Sequence, residues 1–351
     1  MAEEELLVNL EKENVAVTEK VFVEEVKETS RIALPMIVVT VSQYLLRVSP
    51  MIMLGHLGEL SISSASIATS LSNVTGYSVL FGMCSALETL CGQAYGAGQY
   101  RKLGTFTYSA IICLFLVCIP VSVLWIFTDK LLILMGQDPS IATEAGKYAI
   151  WLIPTLFPYA ILQSLVRYLQ AQSLILPMLL SAVVSLCFQV TICWAFIFKL
   201  NLGIVGAALS IGLSYWLNVI LLILYVKYSS VCEKTRASFS RDVFLTTGDF
   251  FCFAIPSAVM VCLEWWAFEL IILLSGLFPN PMLETSILSI CFTITTVHYH
   301  IPYSFGAAAS WEATSGKNCS RCCDSSLSYR VCYCKYNSIC GPRCMGLCIF
   351  L

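Results

Sequence analysis

Glu264 and Glu269 are the only charged residues in the apolar run 251–275, FCFAIPSAVMVCLEWWAFELIILLS. A carboxylate at the centre of a bilayer costs about 3 kcal/mol on insertion scales, so an acid kept in such a run has a functional or a pairing role. A carboxyl that passes between a dry and a hydrated surrounding can take up and release a proton. The two acids are five residues apart, which at 3.6 residues per turn separates them by about 140° around a helix. They therefore face different surroundings and cannot form one tight carboxylate pair. Trp265 and Trp266 lie between them. Their ring faces can attract an organic cation, by roughly 0.5 to 2 kcal/mol per contact. The plainer alternative is that a glutamate pairs with a polar group on a neighbouring helix and that the tryptophans are packing or interface residues.

The elements that must position these residues are membrane helices. The 351 residues are 58% hydrophobic and 12% charged, whereas about a quarter of the residues in soluble domains are charged. Apolar windows near the length that crosses a hydrocarbon core fall at about 32–54, 64–91, 106–128, 148–168, 172–198, 203–226, 251–275 and 284–309. The fold class is an all-α polytopic membrane protein with eight expected spans. The second window is diluted by SISSASIATSLSNVTGYS, but small and hydroxyl-bearing residues favour helix packing in lipid. Pro35, Pro154 and Pro256 fall inside windows, where a proline frees a carbonyl and permits a bend. The helical cysteines, such as Cys84 and Cys91, read as small packing residues.

Orientation follows from lysine and arginine in the short connections. The even-numbered connections carry Arg101, Lys102, Arg167, Lys227, Lys234, Arg236 and Arg241, and the odd-numbered ones only Lys130, Lys147 and Lys199. Residues 1–31 are acidic, with nine glutamates, and have no short apolar core of the signal-peptide kind. They are expected to form a cytosolic N-terminal tail. Basic patches with interleaved aromatics are lacking, which speaks against a nucleic-acid partner. Walker A loops and His/Cys/Asp clusters are lacking too, so neither an ATP-driven pump nor an enzyme is indicated, and metal and cofactor are both expected to be none.

An internal repeat is also visible. IALPMIVVTVSQ at 32–43 and FAIPSAVMVCLE at 253–264 share Ala-x-Pro at an offset of 221, and FGMCSA at 81–86 and FGAAAS at 305–310 match at 224. An even number of spans separates the copies, so the repeat is parallel, about an axis along the membrane normal. It sets Gln43 opposite Glu264, a neutral amide in the first copy where the second has a titrating group. Glu88 stands where the second span meets the cytosol and reads as a stabiliser of that end. Arg47, a cation within the first span, has no assigned role. His298 and His300, two apart on a helix, point in nearly opposite directions, which is poor for one metal.

With these segments in view, residues 25–310 resemble the plant branch of the multidrug and toxic compound extrusion (MATE) family, the detoxification proteins. The likeness is carried by IALPMIVVTVSQYLL, MLGHLGELS, FGMCSALETLCGQAYGAGQ, LLILMGQDPSI, GKYAIWLIP, RYLQAQS, AIPSAVMVCLEWWAFE, LLSGLFPNP and IPYSFGAAAS. The resemblance implies twelve helices in two six-helix lobes around a central cavity. It also implies a secondary antiporter that exports organic solutes by alternating access. The energy source would be a proton gradient rather than sodium. Glu264 and Glu269 would take part in proton coupling and cation binding, with Gln43 and Trp265 as cavity candidates.

The expected organisation is a tail at 1–31, a six-helix lobe at 32–228, a basic linker at 229–250, the first two helices of a second lobe at 251–310 and a tail at 311–351. That last tail departs from the family pattern. It holds eight of the 18 cysteines and reads as a shifted frame or retained intron, with palmitoylation or zinc binding as rivals. The partners implied are small organic solutes, cationic or flavonoid-like, and membrane lipid, around a monomer in the plasma or vacuolar membrane. The alternatives carried are a truncated, non-transporting isoform and, more remotely, a membrane-embedded enzyme.

Overall fold

The computed structural model describes residues 34–237 and 241–314. The tails expected at 1–31 and from 315 to 351 lie outside the described residues. Among the described residues every regular element is helical. We number the long helices α1 (Leu34–Gly55), α2 (Glu59–Gly96), α3 (Tyr100–Ile126), α4 (Pro139–Gln170), α5 (Ile175–Lys199), α6 (Gly203–Tyr228), α7 (Asp242–Ser275) and α8 (Pro281–Thr314). The first seven are long and apolar enough to cross a membrane. Eight such spans were expected, and α8 is the difference. Thr285, Ser286, Ser289, Thr293, Thr295, Thr296 and His298 dilute its apolar character.

The helices end where the backbone chemistry says they should. Gly98 and Gly136 adopt left-handed φ values of 71° and 86°. In each case the next amide reaches back to close a helix, Gln99 N to Ala94 O at 2.9 Å at the end of α2 and Gln137 N to Leu132 O at 3.0 Å at the end of a short helix, Thr128–Leu134. That pattern is the glycine-terminated Schellman end. α4 starts with Pro139 in its first turn behind Asp138, whose Oδ1 accepts from Ser140 N at 2.8 Å. A proline there loses no helical hydrogen bond, and the aspartate satisfies an orphan amide.

Residues 41–298 form one compact unit. Residues 34–40 and 299–314 group separately, and both of these stretches are helical. Inside the larger unit the serine-rich α2 is central. About 61% of its apolar window is buried, second to 67% for α4 and against 33% for α5 and 28% for α7. Ser63, Ser64, Ala65, Ser66, Ala68, Ser70 and Ser72 are all buried, because small side chains let neighbouring backbones come close. α2 is interrupted by a π-helical turn at Asn73–Tyr77. Prolines lie inside α3 (Pro120), α4 (Pro154, Pro158) and α7 (Pro256).

α7 lies along the second half of α2. A Cβ on Gly82 would meet the Ala258 Cα at 2.7 Å, so only glycine permits this approach. Hydroxyls and a ring N–H line the same seam: Ser85 Oγ and Ser257 Oγ are 2.5 Å apart, and Trp266 Nε1 donates to Ser78 Oγ at 3.1 Å. The Gln137 amide closes the far end by donating to the Leu273 carbonyl at 2.8 Å.

Overpacking a tight seam costs about 1 to 3 kcal/mol. Gly82→Val is therefore expected to lower the thermal midpoint of the protein in detergent micelles. Gly96→Ala, where no atom lies within 4 Å of the added Cβ, should leave that midpoint unchanged in the same assay.

Candidate functional site

Glu269 sits on the inner face of α7 and is 4% exposed. Its Oε1 accepts a hydrogen bond from Asn73 Nδ2 at 2.7 Å. Asn73 is the first residue of the π-helical turn of α2. π-turns recur at functional positions, and here the turn carries the residue that meets the acid. The Ser70 hydroxyl, one helical turn earlier, and the Arg47 guanidinium of α1 are further electrostatic neighbours of the carboxylate.

Arg47 belongs to a group of tyrosines. Its guanidinium lies over the Tyr44 ring at 5.8 Å, and Tyr77, Tyr159 and Tyr215 are its other electrostatic neighbours. Tyr77 meets Tyr159 edge-on at 4.9 Å, and Tyr159 meets Tyr215 at 5.7 Å. The Tyr77 hydroxyl hydrogen-bonds the Thr155 hydroxyl. Tyr44 donates to the Thr293 carbonyl of α8 at 3.3 Å. Side chains from α1, α2, α4 and α6 thus gather around the half-buried Arg47.

The four sequence-predicted residues are not brought into one cluster. Glu264 is exposed, on a different face of α7 from Glu269, as their spacing requires. Gln43 is half-buried on α1. Trp265 stacks on Phe81 of α2 at 5.5 Å, and the Phe81 ring also carries the Arg167 guanidinium at 5.0 Å. Arg167 Nη1 lies 2.9 Å from Glu88 Oε1 and donates to Gln170 Oε1 at 2.9 Å. Glu88 therefore does pin the end of α2, through α4. A ladder of Trp265, Phe81, Arg167 and Glu88 ties α7, α2 and α4 together. Trp266 is committed to Ser78, which favours packing for that ring. His298 is exposed. Among the described residues no three of His, Cys, Asp or Glu are grouped as a metal site.

Sequence reasoning missed Asn73, Ser70 and the arginine-capped Phe81. The signal for Asn73 was present, as the one amide in a serine-rich span. An intramembrane acid needs a partner, and a membrane-helix amide can supply one.

The MatE family model matches residues 35–195. Protein DETOXIFICATION 14 of Arabidopsis thaliana is 56% identical over 309 residues, covering 88% of this chain and 64% of the relative. The chain belongs to the MATE family. Protein DETOXIFICATION 8 of the same plant is 53% identical over 292 residues, 83% of this chain and 60% of the relative. The crystal structure of the eukaryotic MATE transporter AtDTX14 superposes with a TM-score of 0.78 at 56% identity, covering 84% of this chain and 65% of that one. An outward-facing multidrug resistance MATE family transporter, 16% identical, shares the fold with a TM-score of 0.65 over 81% of this chain and 63% of its own. The chain spans less than two thirds of the length of these relatives. With seven membrane-length apolar helices it is a multi-pass integral membrane MATE protein.

The ladder predicts an asymmetry in this MATE protein. Arg167 is 4% exposed and makes three contacts, whereas Glu88 is about half exposed. Arg167→Gln should lower stability in micelles by about 1 to 3 kcal/mol, the cost of stripping partners from a buried polar group. Glu88→Gln should change it by under about 1 kcal/mol, the usual worth of an exposed ion pair. Chemical unfolding followed by far-UV circular dichroism compares the two.

Proposed function

We propose that this MATE protein takes part in proton-coupled antiport, moving small organic solutes out of the cytosol by alternating access. The observation that carries the reading is the carboxylate of Glu269. It is buried in a membrane helix, held by an amide from a π-helical turn, and accompanied by a second acid, Glu264, on the exposed face of the same helix. Two acids of one helix in unlike surroundings suit a device that loads a proton in one state and releases it in another.

In this reading Glu264 exchanges the proton with water. Glu269 supplies negative charge to the interior, so it favours cationic solutes over neutral ones. Gln43, at the repeat-related position in α1, hydrogen-bonds without titrating, which places the coupling on α7. Trp265 offers a ring held at a fixed orientation by Phe81. The lysines and arginines of the even-numbered connections place those loops, and the N-terminus, in the cytosol. The host membrane is the plasma or vacuolar membrane, and the energy source is the proton gradient.

A second reading is favoured by one observation. Ile255, Val259, Met260 and Leu263 of α7 are each more than half exposed. An apolar face of that size suits either lipid or further helices. If helices complete it in the relatives, the eight described here fold but do not transport.

One experiment addresses both readings. Efflux of a cationic and a neutral dye is followed in proteoliposomes across an imposed pH gradient. It is run with this chain alone and with this chain joined to the remaining third of the Arabidopsis relative. Glu264→Gln is expected to abolish the pH-driven component, because an amide keeps the shape and cannot release a proton. Glu269→Gln should weaken the cationic dye by about tenfold or more and the neutral dye by less. Efflux only from the joined protein assigns the second reading to the chain alone. Unchanged pH dependence in the Glu264 variant would remove that residue from the coupling step.

A further inference from the structure

At the ends of α2 and α3, on the same side as the α6–α7 connection, the surface forms a shallow, widely open cavity of about 440 Å³. Its lining is Gly98, Gln99, Tyr100, Arg101, Lys102 and Lys234. Three of the six are cations and none is an acid. Arg101, Lys102 and Lys234 are exposed, so their charged ends are available to a ligand.

Their convergence is built by the fold. Lys234 is 132 positions beyond Lys102 in the chain, and the segment that carries it is clamped to α3 and α4. A Cβ on Gly104 would meet Ala237 Cβ at 2.7 Å and the Thr235 carbonyl oxygen at 2.9 Å, so this stretch lies directly against α3. The Thr235 hydroxyl is buried, donates to Gln172 Oε1 at 2.8 Å, and is 2.6 Å from the Tyr168 hydroxyl of α4. Cys232 is buried beside the same clamp. The positive-inside tendency explains basic residues on this side, but it does not ask that they share one cavity. Like charges brought together cost energy unless an anion joins them. The start of α3 adds to the field, since its first turn has no acidic residue and no side-chain cap.

We infer that this cavity binds a phosphate group of a multiply charged anion. Two sources present such a phosphate, a phosphoinositide headgroup in the adjoining leaflet and a soluble phosphorylated solute, and the arms of the test separate them. Basic pockets at the membrane surface are suited to both. The site is separate from the α7 acids and would act on the α6–α7 connection, which joins α7 to the preceding helices.

The test uses the full chain purified in detergent micelles. Native mass spectrometry compares retention of phosphatidylinositol bisphosphate with that of phosphatidylserine. Calorimetric titration with inositol trisphosphate and with inorganic phosphate tests the soluble sources. Lys102→Gln/Lys234→Gln should weaken binding by about twenty-five-fold, from about fivefold per lysine near a phosphate surface. Lys102→Arg/Lys234→Arg should retain it, and Lys227→Gln, outside the cavity, should not change it. Thermal unfolding verifies that these surface variants are folded. Selective retention of the bisphosphate lipid with this variant pattern supports a lipid headgroup, and the same pattern with the soluble anions supports a phosphorylated solute. Binding that survives the double glutamine change, or falls equally in Lys227→Gln, overturns the site. Efflux plays no part in these readouts, so the site and the transport proposal fail independently.

Discussion

A carboxylate inside an apolar helix must be held, and the rest of this fold is arranged so that Glu269 is. Its partner, Asn73, comes from a helix 196 positions away in the chain. For the two to meet, α7 has to lie against α2 along its length. Glycine at 82, the Ser85–Ser257 pair and the Trp266 contact with Ser78 make that seam narrow enough. The serine-rich composition of α2, which weakens it as a span, is what makes it a surface for other helices to pack on. Its π-helical turn offsets the register at the point where the amide has to point at the acid.

Much of this was legible in the sequence because it depends on local chemistry. Spans appear wherever apolar residues run long enough, and each of the seven that qualify overlaps one of the expected windows. Helices extend past those windows, as α4 does from Pro139 to Gln170, because polar turns continue the helix beyond the hydrocarbon. The separation of Glu264 from Glu269 follows from helical geometry alone, and one is indeed exposed and the other buried. The assignment of Glu88 to a stabilising role also follows from its position, and Arg167 is the partner. The buried cysteines on α2, Cys84 and Cys91, take the packing places expected of small residues.

What was not legible is the pairing between distant helices. Nothing in the spacing of α2 says that Asn73 meets Glu269, or that Phe81 is shared by Trp265 and Arg167. Arg47 was the least readable residue, since a cation in the first span has no local explanation. The fold surrounds it with tyrosines and places it near Glu269, so its charge is balanced by groups far from it in the chain. α8 is helical where a second helix of the second lobe was expected, and its hydroxyl residues and His298 leave it outside the seven that qualify by length and composition alone.

The central claim is that the Asn73 amide holds the Glu269 carboxylate within the membrane helices. A double-mutant cycle tests it most directly, with unfolding free energies in micelles for Asn73→Ala, Glu269→Ala and the pair. If the two groups are bonded, the double change costs less than the sum of the single ones, with a coupling energy of about 1 kcal/mol or more. Strict additivity would contradict the account, because it would mean that the buried acid is held by something other than α2.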